Sequence, residues 1–351
     1  MIVHSAPVTV PAGKSPSPEL ARIAEAAHAV DGDAGRAREL ALELGVAVAG
    51  PGHGSTLRLF ETLATLAASD LTSARVVEAH LDALGILDQA GADPTALTGS
   101  PRASWGVFAA EAPGVSLAAV SDSGRWRIDG TKPWCSLAGS LTDALVTAHT
   151  ADGHRRLFAV RLGDPGVVIR DAGWVGYGLP GVPSGPVDFT NVAATPIGAD
   201  GWYLNRPGFA WGGIGVAACW WGGAIGIARR VHAAVAERQP DQLALAHLGA
   251  LDVALAAAGA SLAAASVAID DGTATGAAGE LLAARVRGIV ARTADEVIGR
   301  TGRALGPAPL AFEARHARRV ADLQLYVRQH HAERDDAALG RLLLTGGSAP
   351  W

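Results

Sequence analysis

Cysteine is scarce in this sequence, and the scarcity excludes two kinds of protein. Only Cys135 and Cys219 occur among the 351 residues. Two thiols cannot build a disulfide framework or a cysteine-rich metal site. No helical metal pair is expected either, because His330 and His331 are adjacent rather than four residues apart. So few thiols are typical of proteins in a reducing compartment, and we expect a cytoplasmic protein.

An excess of positive charge is also lacking. The chain has 29 Lys and Arg residues against 34 Asp and Glu residues, which gives a net charge of −5. A nucleic-acid partner is not expected, since binding a phosphate backbone requires a basic face. Hydrophobic residues make up 49% of the chain and charged residues 18%, so the sequence can bury a large core divided among two or three sub-domains.

The N-terminus lacks the basic start and apolar core of a signal peptide. Residues 1–18 contain four prolines, and we expect a flexible, partly extended arm there. Residues 207–228 are uncharged and almost long enough to span a membrane. They hold seven glycines and no leucine, which favours a close-packed helix of a bundle near a homodimer or homotetramer interface, so no membrane partner is expected.

Hydrophobic periodicity predicts helices on both sides of a β-rich segment. Apolar residues three and four apart predict helices between residues 19 and 103. Short alternating runs rich in Gly, Val and Trp predict a small β-barrel over residues 104–202. Apolar and amphipathic segments predict a helical bundle over residues 203–351. The expected fold class is therefore α+β, and Asp129-Gly130 is expected to be a hairpin turn.

Three segments of the β-rich region resemble the acyl-CoA dehydrogenase family. Residues 126–136 (Trp-Arg-Ile-Asp-Gly-Thr-Lys-Pro-Trp-Cys-Ser) resemble its hairpin, with a Gly-x-Lys turn followed by Trp-x-Thr/Ser. Residues 108–116 resemble its Thr-Glu-Pro-Gly-x-Gly-Ser-Asp loop, and residues 178–192 its closing strand. The resemblance implies that family's fold: a helical domain, a β-barrel and a helical bundle. It also implies FAD as the cofactor.

By this resemblance, Trp134 would stack on the flavin ring and Ser136 would bond near its N5 atom. The backbone groups of Ala109 and Ala110 would meet the ring's pyrimidine edge. The loop residue Ser116 and the bundle residues Gly302 and Arg303 would meet phosphates. Each assignment has a structural alternative, in which the indole fills the barrel core and the serines bond only locally.

The sequence departs from the family where the catalytic base should be. In the dehydrogenases a Glu removes the α-proton of an acyl thioester, and the matching position here is Gln324, which cannot accept a proton. The other position that the family uses falls in residues 216–218, which contain no carboxylate. Asp322 lies two residues before Gln324, which is about 200° around a helix, so it would replace the Glu only in a different register.

His80 is a further candidate, because flavin monooxygenases of this fold use histidines from the corresponding helix. It could equally be a buried histidine bonded to the backbone. Three functions remain open. The first is FAD-dependent oxidation of a small substrate such as an acyl-CoA, passing electrons to a transfer partner. The second is a monooxygenase served by a flavin reductase. The third is a non-catalytic relative.

Overall fold

The computed structural model of the protein describes residues 5–10, 15–171, 173–237 and 239–345. Helices come first, strands follow and helices return, so the expected α+β order is confirmed. The change from helix to strand falls between residues 98 and 105, and the change back to helix falls between residues 197 and 202.

Within the described residues five helices precede the strands, and several begin at the capping residues that the sequence offers. The side chain of Asp70 accepts the backbone N–H of Ser73 at 2.8 Å and so caps the fourth helix. This helix lies against the second, third and seventh helices. The bounds are α1 (Pro18–Val30), α2 (Ala34–Ala47), α3 (Thr56–Ser69), α4 (Leu71–Gln89) and α5 (Pro94–Thr98).

In the part of the chain that the structure describes, seven strands form one sheet that closes into a small barrel. The strands pair in the order β1-β4-β2-β3-β7-β5, and β5 also pairs with β4, which closes the ring. Strand β6 pairs with β7 at the side. The bounds are β1 (Trp105–Phe108), β2 (Leu117–Asp122), β3 (Arg125–Ser136), β4 (Asp143–His149), β5 (Arg155–Arg161), β6 (Val167–Ile169) and β7 (Ser184–Ile197). Its interior is a separate core that includes Phe108, Ile128, Phe158 and Phe189.

The prediction of a hairpin turn at Asp129-Gly130 is wrong. The turn between β2 and β3 is made by Ser123 and Gly124, which both have positive φ, 49° and 81°. Strand β3 runs through Asp129 and Gly130, where the pairing with β7 shifts by one residue and Gly130 has φ 122°. A glycine is needed at this bulge because a Cβ would lie 2.5 Å from the Ser116 carbonyl oxygen.

The remaining helices form a bundle around one long central helix. Helix α7 packs against α9 and against α3 of the N-terminal part. A short 3₁₀ helix, Val327–Gln329, follows α11. The bounds are α6 (Trp202–Asn205), α7 (Pro207–Ala236), α8 (Gln242–Asp270), α9 (Gly276–Leu305), α10 (Ala308–Phe312), α11 (Ala314–Tyr326) and α12 (Glu333–Thr345).

Among the described residues, two bundle helices are long and apolar enough to cross a membrane by length and composition alone. In α7 67% of the most apolar window is buried inside the protein, as in a core helix, whereas in α8 only 33% is buried. The glycines of α7 allow close packing within this chain, since a Cβ at Gly222 would lie 2.1 Å from the Ala64 carbonyl oxygen of α3.

Part of the expected N-terminal arm lies against the helices. Val8 and Val10 are buried, and the Val8 N–H donates to the Thr65 hydroxyl at 3.0 Å. The Arg229 guanidinium donates to the carbonyl oxygens of Ala6 and Pro7. Residues 5–10 are therefore held against α3 and α7, while residues 1–4 and 11–14 lie outside the described part of the chain.

Candidate functional site

Trp134 lies at an irregularity in β3 and not in the barrel core. The pairing of β3 with β7 shifts again between Lys132 and Cys135, and Trp134 has φ 59°, in the left-handed region. Its side chain is 61% exposed, whereas the next residue, Cys135, is buried in the barrel core. The structure thus presents a free indole, as stacking on a flavin would require, and excludes the alternative of a core tryptophan.

Ser136, at the end of β3, belongs to a chain of polar groups. Its hydroxyl lies 2.8 Å from the Ser184 hydroxyl and accepts a hydrogen bond from Nη2 of Arg75 at 3.2 Å. The Ser184 hydroxyl also donates a hydrogen bond to the Val182 carbonyl oxygen at 3.2 Å. The Ser136 hydroxyl is therefore not an isolated strand hydroxyl, because α4 of another sub-domain donates to it.

The loop after β1 is anchored to the barrel by charged groups. The Arg155 guanidinium donates to the Ala109 carbonyl oxygen, and Glu111 pairs with His149 at 2.9 Å. Ala110 is exposed. Ser116 is also exposed, and its carbonyl oxygen accepts the Thr131 N–H at 2.9 Å, which joins the end of the loop to β3. The proposed flavin contacts of this loop remain predictions.

Asp322 and Gln324, the two α11 candidates for the position of the base, lie on different faces of the helix. Asp322 is buried, and its Oδ1 accepts the Leu179 N–H at 2.6 Å. Burial raises the pKa of Asp322 to about 6, against the lowering effect of that hydrogen bond. Gln324 is exposed, as expected for residues two apart on a helix. The Asp322 carboxylate thus holds the segment that follows β6.

His80 is a buried histidine bonded to the backbone, which is the second of the two interpretations given above. It is 4% exposed, and its Nδ1 accepts the backbone N–H of Trp105 at 3.2 Å. Burial lowers the pKa of His80 to about 4, so the ring is neutral at pH 7 and an acceptor at Nδ1. The bond joins α4 to the first strand of the barrel, and a catalytic role for His80 remains a prediction.

Gly302 and Arg303 lie near the C-terminal end of α9. Arg303 is exposed, and a Cβ at Gly302 would meet no atom within 4 Å, so this part of the helix has an open surface. Helix α9 packs mainly on α7 and α8 rather than on the β-barrel. Their predicted contact with a flavin phosphate remains a prediction.

A charged cluster on α4 is the feature that sequence reasoning missed. Oε2 of Glu78 accepts a hydrogen bond from Nη1 of Arg75 at 2.9 Å and one from the Tyr326 hydroxyl at 3.3 Å. The Arg75 guanidinium also lies 5.7 Å from the centre of the Tyr326 ring. The side chains of Arg75 and Glu78 are only 17% and 9% exposed. Tyr326, rather than Gln324, is thus the α11 residue that reaches this cluster.

The charged stripe continues along the same face of α4. Asp82 lies one turn beyond Glu78, 3.9 Å from the buried Arg206, and Arg206 also donates to Gln89 at 2.8 Å. Burial raises the pKa of Asp82. Positions 75, 78 and 82 are three and four apart and share one helix face. A helical projection of α4 would have shown these charges between apolar neighbours, which was the available sequence signal.

Burial and the fixed positive charge act in opposite directions on Glu78. Burial raises the pKa of Glu78 to about 7, while Arg75 and the hydrogen bonds lower it and Asp82 raises it further. A carboxyl with this pKa exchanges a proton at neutral pH, as a general acid or base must.

Among the described residues no group of three His, Cys, Asp or Glu side chains is arranged to hold a metal ion.

Comparison with solved structures shows the fold. A structure of KijD3 with FMN and dTDP-3-amino-2,3,6-trideoxy-4-keto-3-methyl-D-glucose is 19% identical, covers 99% of this chain and 97% of that chain, and has a TM-score of 0.78. Dibenzothiophene monooxygenase (TdsC) from Paenibacillus sp. A11-2 is 17% identical over 94% and 98% of the two chains, with a TM-score of 0.73. Nitrososynthase from Micromonospora carbonacea var. africana is 22% identical over 93% of both chains, with a TM-score of 0.70.

These similar structures are flavoproteins of the acyl-CoA dehydrogenase fold, and this chain has that fold, with its N-terminal helices, middle β-barrel and C-terminal bundle. No protein-family model matches the chain, and a search of the curated proteins finds no match. The similarity extends over almost the whole chain, so the fold that the β-rich motifs implied is confirmed. At this level of identity it establishes the fold and not the reaction.

Proposed function

We propose that this protein is a flavin-dependent oxidoreductase of the monooxygenase type, acting on a small organic molecule. The observation that carries the proposal is that neither α11 candidate for the catalytic base is a free carboxylate. The buried carboxylate of Asp322 is bound to the Leu179 N–H, and Gln324 is exposed and has no basic group. Neither offers the free base that thioester dehydrogenation requires, whereas oxygen insertion needs no α-proton base.

The residues around β3 fit a flavin. The exposed indole of Trp134 offers an apolar face to a flat ring. Ser136 would place a hydroxyl at its polar edge, aligned by Arg75. Bound and reduced, the flavin would supply the electrons that activate O₂. Similar structures of KijD3 and TdsC contain FMN, so FMN joins the expected FAD as a candidate cofactor.

The comparisons also suggest the class of substrate. KijD3 was solved with a dTDP-amino sugar, and TdsC was solved with FMN and indole. Small polar or heteroaromatic molecules are therefore the first substrates to test. In a two-component system a separate flavin reductase would deliver the reduced flavin, which is the partner we propose.

The test begins with binding. Purified protein is titrated with FMN and with FAD, and binding is followed by flavin fluorescence and gel filtration. A reductase with NADH is then added, and oxygen uptake and product are measured with amino sugars and aromatic heterocycles. Failure to bind either flavin at tens of micromolar would contradict the proposal.

Thioester dehydrogenation is the second candidate, and one observation favours it. Glu78 is a buried carboxylate with a pKa near neutrality, joined to Ser136 through Arg75, so the site does contain a group able to accept a proton. Anaerobic mixing of the flavin-loaded protein with butyryl- or octanoyl-CoA separates the two candidates. Rapid bleaching of the flavin supports dehydrogenation, and an unchanged spectrum supports the monooxygenase.

A further inference from the structure

We propose that Glu78 is the proton-exchange residue of this site and that Arg75 is the residue that positions it toward Ser136. The proposal deepens the proposed function, because it rests on a flavin binding beside Ser136. It concerns a cluster of four side chains, Arg75, Glu78, Tyr326 and Ser136, of which Glu78 and Tyr326 are buried and the other two half-buried; we call it the Glu78 cluster.

Arg75 connects Glu78 to Ser136. One guanidinium group separates the Glu78 carboxylate from the Ser136 hydroxyl, since Nη1 of Arg75 binds the former at 2.9 Å and Nη2 binds the latter at 3.2 Å. Arg75 cannot release its proton at any relevant pH. It therefore orients both groups, and the exchangeable proton belongs to Glu78.

Placing the charges of Arg75 and Glu78 at this position has an energetic cost. A buried ion pair contributes little to stability compared with apolar side chains of similar size, because removing two charges from water costs several kcal/mol. The Glu78 cluster lies where α4, α11 and the end of β3 meet, and Val77 of α4 and Leu323 of α11 belong to the main hydrophobic core. A function in the site explains why charges stand in this position.

Charged and titratable groups of several neighbouring elements act on Glu78. Helix α4 supplies Arg75 and Asp82, α11 supplies Tyr326, and α7 supplies the buried thiol of Cys219. Arg287 of α9 and Tyr203 of α6 act at longer range. Burial disfavours the charged carboxylate and Asp82 partly offsets the positive charge of Arg75, so Glu78 can hold a proton near pH 7 instead of being permanently ionised.

The reaction requires one such proton. A bound reduced flavin would supply the two electrons of the proposed oxygenation. With O₂ as the oxidant, one oxygen atom would go to the substrate and the other would leave as water, and forming that water would consume one added proton. Protonated Glu78 would provide the added proton, and solvent would restore it.

The first arm of the test needs no flavin. Protein labelled with ¹³C at the glutamate carboxyls is titrated by NMR, and Glu78→Gln identifies the Glu78 signal. We expect a midpoint of about 7, and Tyr326→Phe should raise it, because the tyrosine hydroxyl lowers the pKa of this carboxyl. A midpoint in the range of an exposed glutamate, about 4.3, would overturn the proposal.

The second arm uses the protein loaded with FMN. The rate of substrate oxygenation is measured from pH 5.5 to 9 in wild type, Glu78→Gln and Asp82→Asn, with thermal unfolding as a check on folding. Wild type should lose rate above pH 7, and Glu78→Gln should lose this pH dependence and be slower by on the order of 10²-fold at pH 6.5. Asp82→Asn, one turn along the helix, should keep the pH dependence with a lower midpoint.

The outcomes separate the two proposals. An unchanged pH profile in Glu78→Gln would overturn the role of Glu78 while leaving the flavin enzyme intact. Absence of flavin binding would overturn the proposed function, and the carboxyl titration would still decide whether Glu78 exchanges its proton near pH 7. Arg75→Lys keeps the charge but cannot bridge Glu78 and Ser136, so we expect the pH dependence to persist and the rate to fall.

Discussion

Gly222 of α7 packs directly on the backbone of Ala64 in α3. A Cβ at Gly222 would lie 2.1 Å from the Ala64 carbonyl oxygen and 2.5 Å from its Cα. Backbone atoms cannot move aside as a flexible side chain can, so this contact sets the distance between the two helices. It also joins the N-terminal helices, which carry Glu78, to the bundle.

Gly222→Ala should therefore destabilise the protein. Overpacking typically costs about 1–3 kcal/mol, and the backbone partner predicts the upper end of that range or more. Gly249→Ala is the matched control, because Gly249 lies in α8 and its Cβ would meet nothing within 4 Å. The control should stabilise the helix by about 0.5 kcal/mol or more. Chemical denaturation measures both, and equal effects would contradict the packing argument.

Trp134→Ala should weaken flavin binding with little effect on folding. The side chain is 61% exposed, so we expect the free energy of unfolding to change by within about 0.5 kcal/mol. Flavin binding should weaken by on the order of tenfold. The stacking of a nucleobase, a flat heteroaromatic ring like the flavin's, on an aromatic side chain contributes about 1–3 kcal/mol. Trp134→Phe retains a flat apolar ring and should bind in between. Wild-type affinity in the alanine variant would show that the indole does not face the flavin.

His80 predicts a pH dependence of stability. Its pKa is about 4 in the folded protein, below the usual value of 6.5, so the folded state disfavours the protonated ring. The stability that depends on neutral His80 is complete above pH 6.5 and is lost as the pH falls toward 4. Between pH 7 and pH 5 wild type should lose about 2 kcal/mol relative to His80→Asn. A difference that stays constant over this range would count against the buried, neutral ring.

Helix α8 is the surface where we expect a second copy of the chain to bind. Several of its large apolar side chains are exposed in the single chain, among them Leu245, Val253 and Val267. The protein should be a homodimer or homotetramer at micromolar concentration, measured by light scattering. Val253→Lys should shift the mass toward the monomer, whereas Val46→Lys, at an exposed position of α2, should not. A monomeric wild type would refute this expectation.

The local patterns of the sequence were sufficient for the order of elements and for the fold. Helical periodicity and alternating strands are short-range properties, and the segment around Trp134 and Ser136 implied the β-barrel of a known fold. Turn chemistry was less reliable. Asp-Gly favours a tight turn but also suits a bulge, and the pairing of β3 with β7, which is not local, decided for the bulge at Gly130.

Only the tertiary structure decided which polar groups meet. Tyr326 and Glu78 are 248 residues apart in sequence, and Asp322 and Leu179 are 143 apart. No local preference specifies such pairs, because they depend on how α11 packs against α4 and against the segment after β6. The same packing removes water from Glu78 and so raises its pKa, whereas the sequence alone shows only a glutamate on an amphipathic helix.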